Sequence, residues 1–427
     1  MRYVIIGNGP AGTAAVEGIR EADPKGGITV ISDEGVMNYS KPLLSYLLAR
    51  KVKKNQLAHR PENFYGRNGV ELLLKKKAVK LETAQKRVVL SDSSSVPYDQ
   101  LLIATGGAPI PLKISGKKTQ GIFTFTRLEE AEELIRYLKD HSVREAVVVG
   151  GGLIGLKAME GLLGRDISVT LVELADRVLS ATFDRRASKI IEGALKKEGC
   201  RVFLKNTLAK IVGDRSGRVK EVVLSNQRKI PCQVIIEAVG VLPNVGWLKG
   251  TEVRCDRGIL VNEYLQTSAE GVFAAGDCCQ PPGFFGGPPG VLPIWPSAVR
   301  QGKVAGFNMT GGKKEYEGAL VMNSVELCGI PTISVGLTDP REENGFETLE
   351  SVSEEKGVYK KLVLRDDRIV GALFVGDISR AGVYTGLIKE AVKIGELKGH
   401  LLKESFGLIH LPKDYRKHYV IGEGIEV

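Results

Sequence analysis

Val147 to Glu160 reads VVVGGGLIGLKAME. An unbroken β-branched run suits a strand buried on both faces of a parallel sheet, and the glycines after it permit a tight turn into a helix. Gly150 is read as the turn residue, Gly152 as the point where backbone nears a pyrophosphate, and Gly155 as the close helix–strand contact. Leu153 and Ile154 fall between them, in a first helical turn whose N–H groups can hold phosphate charge. The chain has already opened on the same pattern: VIIGNGPAG, Val4 to Gly12, puts Gly7, Gly9 and Gly12 in the equivalent places, with Pro10 and Ala11 between them. One GxGxxG is weak, but both copies follow an apolar strand and open a helix. Each is also followed, about 20 residues on, by an acid suited to an adenosine ribose. Asp33 and Glu34 end the run ITVIS, and Glu173 ends VTLVE. Two dinucleotide sites are therefore predicted.

A chain of 427 residues has room for two or three domains with separate cores. No apolar run reaches the roughly 18 to 20 residues that cross a bilayer. The N-terminal RYVIIGNGPAG is too short for a signal peptide and runs straight into the glycine turn, so no membrane partner and a cytoplasmic location are expected. With 60 basic against 50 acidic residues the net charge is +10, which suggests an acidic partner. The excess sits in small clusters, KVKKN at 51–55 and KKK at 75–77, without interleaved aromatics, which argues against nucleic acid. A lysine-rich solvated surface and a docking face for an acidic electron-carrier protein both fit. All six cysteines lie at or beyond Cys200 with no CxxC pair, as expected for reduced structural thiols and no metal site.

The second nucleotide unit starts near residue 113, after LLIATGGAP (Leu101 to Pro109), and runs to EAVGVLPN (Glu237 to Asn244). A β-rich stretch leads to TSAEGVFAAGDCC, whose apolar strand ends in Gly276 and Asp277; a Pro/Gly-rich loop at 281–293 precedes a helix beginning near Ser297. The expected organisation is a discontinuous unit of 1–112 and 245–318, an inserted unit of 113–244, and an α+β domain of 319–427. In the last, 359–376 reads as a hairpin turning at Asp366 and Asp367, and GVYTGLIKEAVKIGEL (382–397) as an amphipathic helix.

VIIGNGPAG, LLIATGGAP, VVVGGGLIG, EAVGVLPN and GVFAAGDCC resemble, in order and spacing, the pyridine nucleotide-disulfide oxidoreductase family of flavoproteins. NYSKPLLSYLL (38–48), MNSVELCGIP (322–331) and GDISRAGVYTGLI (376–388) are similar to the branch with NADH:rubredoxin reductases and the flavin domain of assimilatory nitrite reductases. The resemblance implies an α/β fold of two Rossmann-like dinucleotide-binding domains, one inserted in the other, plus a C-terminal α+β interface domain. FAD is expected on the first unit and NADH on the second. For FAD the likeness implies Gly7, Gly9, Pro10, Ala11 and Gly12 at the pyrophosphate, Asp33 or Glu34 at the ribose, and Lys41 with Pro42 flanking the cofactor. Val79 falls where backbone touches adenine, Ala104, Thr105 and Gly106 form the ATG turn, and Gly276 with Asp277 reach the ribityl chain or pyrophosphate. Trp295, Ser297 and Ala298 start a helix aimed at the flavin pyrimidine edge, where a helix N-terminus stabilises the anionic reduced ring. For the nicotinamide dinucleotide it implies Gly150, Gly152, Leu153, Ile154, Gly155, Glu173 and Gly240. The Glu173 carboxylate favours the NADH 2′-hydroxyl over the NADPH 2′-phosphate, although Arg177, a few residues on, could soften the repulsion.

Two features depart from the family. Its redox-active relatives carry one or two cysteines in the helix after the first ribose acid; here SKPLLSYLL has none, so electrons must leave directly from the flavin. The second is a candidate catalytic pair beside the nicotinamide, Lys157 and Tyr46, where the family usually has Glu and Lys. A lone buried charge is costly, so Lys157 is expected to reach a phosphate, a carboxylate or water, or to snorkel to solvent. Cys278 and Cys279, next to Asp277, are read as packing residues, with a second electron store as the rival. Phe284 and Phe285 in the 281–293 loop suggest partner docking, a cover for the ring, or a plain connector. The leading reading is an FAD-dependent NADH oxidoreductase that passes electrons to a rubredoxin or ferredoxin-like iron–sulfur protein. An NADH oxidase or small-molecule reductase is the first alternative, and a flavin-binding assembly subunit of a larger redox complex the second. No oligomeric state follows from the sequence.

Overall fold

A computed structural model describes residues 1–283, 290–340, 345–407 and 410–411. The described helices are α1 (Pro10–Ala22), α2 (Leu44–Leu48), α3 (Phe64–Arg67), α4 (Leu128–Asp140), α5 (Leu153–Leu163), α6 (Arg185–Lys197), α7 (Trp295–Met309) and α8 (Ala381–Lys389).

Two all-parallel five-stranded sheets repeat one plan. In the first, Arg2–Ile6 is central, with Gly27–Ile31 and Val70–Leu73 on one side and Gln100–Ile103 and Val272–Ala274 on the other. In the second, Glu145–Val149 is central, with Ser168–Val172 and Arg201–Phe203 on one side and Val234–Glu237 and Ile122–Phe123 on the other. The apolar runs quoted above are these central strands, and both are buried from the second residue on. Each sheet is accompanied by a three-stranded antiparallel meander, within 78–97 and 208–231. The chain crosses between the two sheets twice, and the crossing segments, Gly107–Pro109 and Val241–Pro243, pair antiparallel.

α1 and α7 pack closely because glycine removes the side chain at each crossing. A Cβ on Gly302 would overlap the Ala11 carbonyl, one on Gly306 the Ala15 carbonyl, and one on Gly18 the Lys303 carbonyl. This close approach draws two helix N-termini to one end of the first sheet.

A third, antiparallel sheet has the order Met322–Leu327, Ile330–Gly336, Arg368–Val375, Val358–Arg365, Glu347–Ser353. Its hairpin turns at Asp366 and Asp367, both at positive φ (48° and 57°), the geometry of a type I′ turn. The helix expected over 382–397 is shorter: α8 stops at Lys389, and the chain then runs on to a 3-10 turn, Gly395–His400. Ala391 adopts φ 48°, Val392 N–H bonds back to the Leu387 carbonyl, and Arg368 Nε donates to the Ala391 carbonyl at 2.8 Å. Ile394 N–H then bonds the Asp367 carbonyl. The neighbouring hairpin thus captures the backbone that an isolated amphipathic pattern would have kept helical.

Among the described residues no helix is long and apolar enough to cross a membrane, and no cluster of His, Cys, Asp or Glu suits a metal.

Candidate functional site

At the first glycine turn, Gly7 has φ 120°, and an added Cβ would overlap the Ala104 carbonyl; one on Gly12 would overlap the Gly7 carbonyl. Gly9, by contrast, faces open space and caps α1. Pro10 has no N–H and Thr13 N–H is committed to the Gly9 carbonyl, so Ala11 and Gly12 supply the unpaired donors of the first turn. The second turn repeats this in detail. Gly150 has φ 109° against the Ala238 carbonyl, Gly155 fits over the Gly150 carbonyl, and Gly152 is open. Leu156 N–H bonds the Gly152 carbonyl, leaving the amides of Leu153, Ile154 and Gly155.

Opposite the first turn, Thr105 Oγ1 donates to the Asn244 carbonyl at 2.9 Å, and Asn244 Nδ2 donates to the Thr105 carbonyl at 3.1 Å. That exchange ties the ATG turn to the return crossing. Gly106, at φ 63°, has open space above it. Gly276, at φ 81°, donates its N–H to Gln301 Oε1 at 2.7 Å. Asp277 follows it, half-buried, with no hydrogen-bond partner among the described residues. Burial pushes its carboxyl up, and nearby Lys41 opposes that shift. Pro42 sits exposed beside Lys41 in the short Lys41–Leu43 turn. Unpaired helix amides, open glycines and an unpartnered acid that accepts hydrogen bonds fit a dinucleotide pyrophosphate and its polyol chain.

The two first-unit acids have different partners. Glu34 accepts the Tyr39 hydroxyl at 2.7 Å, whereas the exposed Asp33 carboxylate pairs with Arg127 at 2.9 Å. Val79 is skipped in the pairing between Ala78–Leu90 and Lys80–Val89, a bulge that takes its backbone out of the ladder and leaves it open to a ligand.

At α7 two of the expected cofactor residues have contacts within the protein. Ala298 N–H closes onto the Ile294 carbonyl and Pro296 has no N–H, so Ala298 is not a donor; it packs against Gly276 instead. The Ser297 hydroxyl is also turned inward, to Tyr316 at 2.9 Å. Among the described residues the amides of Trp295 and Ser297 have no partner at this end. Phe284 and Phe285 lie outside the described residues. Cys278 and Cys279 are free, fully buried thiols, and Cys278 Sγ donates to the Ala275 carbonyl at 3.4 Å, as packing residues do.

Sequence reasoning passed over several neighbours. Asn38 Nδ2 donates to Tyr65 OH at 3.1 Å, and Tyr65 OH donates to Asn8 Oδ1 at 2.6 Å, leaving the buried Asn8 Nδ2 without a partner among the described residues, in the middle of the first glycine turn. His59 reaches Thr13 of α1 at 3.1 Å and meets Trp295 edge-on at 5.0 Å between centroids. Only the place of Asn8 inside GNGPAG offered a signal; His59 and Tyr65 arrive from elsewhere in the chain.

Burial, then the charge of Arg60, lowers the His59 pKa from 6.5 to about 4. The folded protein keeps this ring neutral while the unfolded chain takes up a proton, so stability should decline as pH falls from 6.5 towards 4. Because the ring is part-exposed and solvent screens it, the total loss should be on the order of 1 to 2 kcal/mol. Urea melts of wild type and His59→Gln across that range check this; the variant should lose that component of the slope.

At the acid expected to meet the second ribose, both Glu173 oxygens accept backbone N–H groups, from Gly151 and from Ala175, the latter at 2.6 Å. The carboxylate is therefore held at the glycine turn. Arg177 is drawn away: Nε donates to the Phe183 carbonyl at 3.2 Å, Nη1 to Asp176 at 3.1 Å and Nη2 to Asp339 at 2.9 Å. Among the described residues no cation pairs with Glu173, whose charge is met by backbone N–H groups alone. Glu173→Ala should cut NADH kcat/KM by about tenfold to a hundredfold and narrow the gap to NADPH, the loss of a charged hydrogen bond and of a repulsion. Stopped-flow flavin reduction with each dinucleotide measures it.

Lys157 finds a carboxylate, as one of the expected options. Its ammonium donates to Glu160 and to the Glu326 carbonyl at 3.2 Å, and lies 5.3 Å from the centroid of the Tyr46 ring, 37% exposed. Glu160 in turn accepts Cys328 N–H at 2.6 Å. One side-chain cluster thus joins α2, α5 and the turn between Met322–Leu327 and Ile330–Gly336, and Glu160 compensates the Lys157 charge. Gly240, at φ 129°, accepts Ile110 N–H beside the paired crossings.

A family model described as pyridine nucleotide-disulphide oxidoreductase matches residues 1–302. The chain belongs to that family. A second model, the rubredoxin NAD+ reductase C-terminal domain, matches residues 322–392. Like other pyridine nucleotide-disulphide oxidoreductases, the protein is an NAD(P)H-linked oxidoreductase that uses FAD. It is 31% identical over 404 residues to the NADH-dependent phenylglyoxylate dehydrogenase subunit epsilon of Aromatoleum evansii, covering 94% of each chain. It is 30% identical to the nitrite reductase [NAD(P)H] of Bacillus subtilis over 92% of its own length but only 48% of that protein's, so it spans about half of that relative. Among solved structures, a ferredoxin reductase from Rhodopseudomonas palustris superposes with a TM-score of 0.81 at 26% identity, covering 90% of this chain and 93% of that one.

Proposed function

We propose that the protein takes hydride from NADH onto FAD and passes electrons to a rubredoxin or ferredoxin-like iron–sulfur protein, acting in the cytoplasm. The observation that carries this reading is the absence of any cysteine from the stretch SKPLLSYLL, which includes α2 and lies where the family's thiols would be. The match of residues 322–392 to the rubredoxin reductase C-terminal domain and the likeness to a ferredoxin reductase support the acceptor class. In this reading, residues 1–112 with 245–318 hold FAD, 113–244 hold NADH, and 319–427 form the C-terminal domain.

Bound flavin supplies two-electron acceptance and one-electron release; the chain supplies position and field. The amides of Ala11 and Gly12 hold the pyrophosphate, Asp277 accepts hydrogen bonds from the polyol, and Asp33 faces the ribose. The α7 N-terminus, through Trp295 and Ser297, favours negative charge on the pyrimidine edge. Leu153, Ile154 and Gly155 hold the second pyrophosphate, and Glu173 selects the unphosphorylated ribose. Lys157, pinned by Glu160 and the Glu326 carbonyl, holds a cation against the Tyr46 ring where the two units meet. No residue is required as acid or base for hydride arrival.

A second reading follows from the full-length likeness to the subunit epsilon: an NADH-linked flavoprotein subunit of a larger dehydrogenase. Stopped-flow mixing of purified protein with NADH and then rubredoxin tests the first reading; rapid flavin bleaching followed by rubredoxin reduction is expected. Fast bleaching with no transfer to rubredoxin, together with copurifying subunits, would favour the second.

A further inference from the structure

From Lys41 to Lys54 the chain reads KPLLSYLLARKVKK, five basic residues without one acid. The segment comprises the Lys41–Leu43 turn, α2 and the start of the next short turn, Lys54–Gln56. Its first residue acts on Asp277, the acid of the FAD cradle. Tyr46, near its middle, faces Lys157 on the nicotinamide helix. This strip therefore runs along the edge where the two dinucleotide sites approach each other.

Its charges are largely uncompensated. Lys54 pairs with Glu132 at 2.7 Å, but among the described residues no carboxylate lies within ion-pair distance of Lys41, Arg50, Lys51 or Lys53, all exposed. Lys51 stands 5.9 Å from the Tyr46 ring centroid. Arg165, from the end of α5, adds another cation by donating to the Leu48 carbonyl, next to Arg50. Like charges held this close repel, a cost that a purely solvated surface would avoid by dispersing them or interleaving acids. An exposed aromatic ringed by cations is the composition of a protein-binding hot spot for an acidic partner.

We propose that the strip Arg50–Lys53 with the exposed Tyr46 is the docking surface for the acidic iron–sulfur carrier, which places that carrier beside the edge from which electrons leave. This inference rests on the carrier reading of the function. With no thiol relay in α2, the carrier has to sit close to the flavin, and this is a strongly basic surface adjoining both cofactor sites.

The test uses the holoenzyme with an acidic rubredoxin of measured charge. Arg50→Glu/Lys53→Glu should lower kcat/KM for rubredoxin about tenfold or more at low ionic strength, with the gap closing as salt rises. Flavin bleaching by NADH, and turnover with the uncharged acceptor menadione, should match wild type. Lys53→Glu alone, a single change on an exposed side chain, guards against a folding defect and should show a smaller loss of the same kind. Lys196→Glu/Lys197→Glu, at the far end of α6, should leave rubredoxin kinetics unchanged. If wild type reduces rubredoxin and both strip variants do so equally well at every ionic strength, the docking assignment is wrong. If wild type is bleached by NADH yet reduces no acidic iron–sulfur protein, the functional reading fails and takes the docking surface with it.

Discussion

Gly7→Ala is expected to yield a protein without flavin and with a much lower melting temperature. Two costs add at this residue. A side chain at φ 120° is strained in any surroundings, and the new Cβ would overlap the Ala104 carbonyl. Neither backbone can move aside: Gly7 N–H is bonded to the Ile31 carbonyl at 2.8 Å and Ala104 N–H to the Ile6 carbonyl at 2.8 Å, both within the ladder of the first sheet. Strain and overpacking together come to roughly 3 kcal/mol or more. The turn that aims the α1 amides would be displaced with them. Gly9→Ala provides the contrast. Gly9 has an ordinary φ of −84° and open space around it, so the variant should fold normally and lose affinity for FAD alone. The ratio of flavin to protein absorbance in the purified variants, with thermal melts in the presence and absence of added FAD, separates the two outcomes. A Gly7→Ala protein with a full complement of FAD would refute the cradle described above.

Asp184→Ala should cost about 3 to 5 kcal/mol and loosen the C-terminal domain from α6. One Asp184 oxygen caps α6 by accepting Ala187 N–H at 2.9 Å. The other accepts the Tyr359 hydroxyl at 2.7 Å and the Lys361 ammonium at 3.1 Å. Lys361 is 6% exposed and Tyr359 only 1%, so removing the carboxylate takes the partner from a buried hydroxyl and leaves a buried cation with the longer 3.9 Å contact to Asp339. The lost cap adds about 1 kcal/mol. Arg177, held by Asp339 next to the same contact, should become less restrained, and NADH preference should weaken slightly. Asp184→Asn keeps a capping oxygen but not the charge, and should fall between wild type and alanine. Urea denaturation with limited proteolysis of the 319–427 segment measures both effects. An alanine variant within about 1 kcal/mol of wild type would show that water or rearrangement satisfies Lys361.

Much of the dinucleotide machinery was legible in the chain because it is local. A β-branched run, three glycines and a helix within a dozen residues leave the backbone little choice, and the structure repeats the same overlaps at Gly7 and Gly150, and at Gly12 and Gly155. The type I′ turn at Asp366–Asp367 was visible for the same reason. Helix ends were less legible. The helix expected to begin near Ser297 begins at Trp295, because Ala298 N–H already closes onto the Ile294 carbonyl. α8 ends early because Asp367 and Arg368, more than twenty residues back, bind the backbone beyond Ala391.

The sequence by itself determined that two glycine turns join a buried strand to a helix, that each is followed by an acid about 20 residues on, and that no thiol stands in α2, since each depends on residue type and short-range spacing. Only the tertiary structure decided which charges meet. Lys157 takes Glu160 from its own helix but the Glu326 carbonyl from 169 residues away, and Asp184 finds Lys361 at a separation of 177. Electrostatic partners are chosen by which faces packing brings together and by how deeply it buries them, and neither is written in the local order of residues.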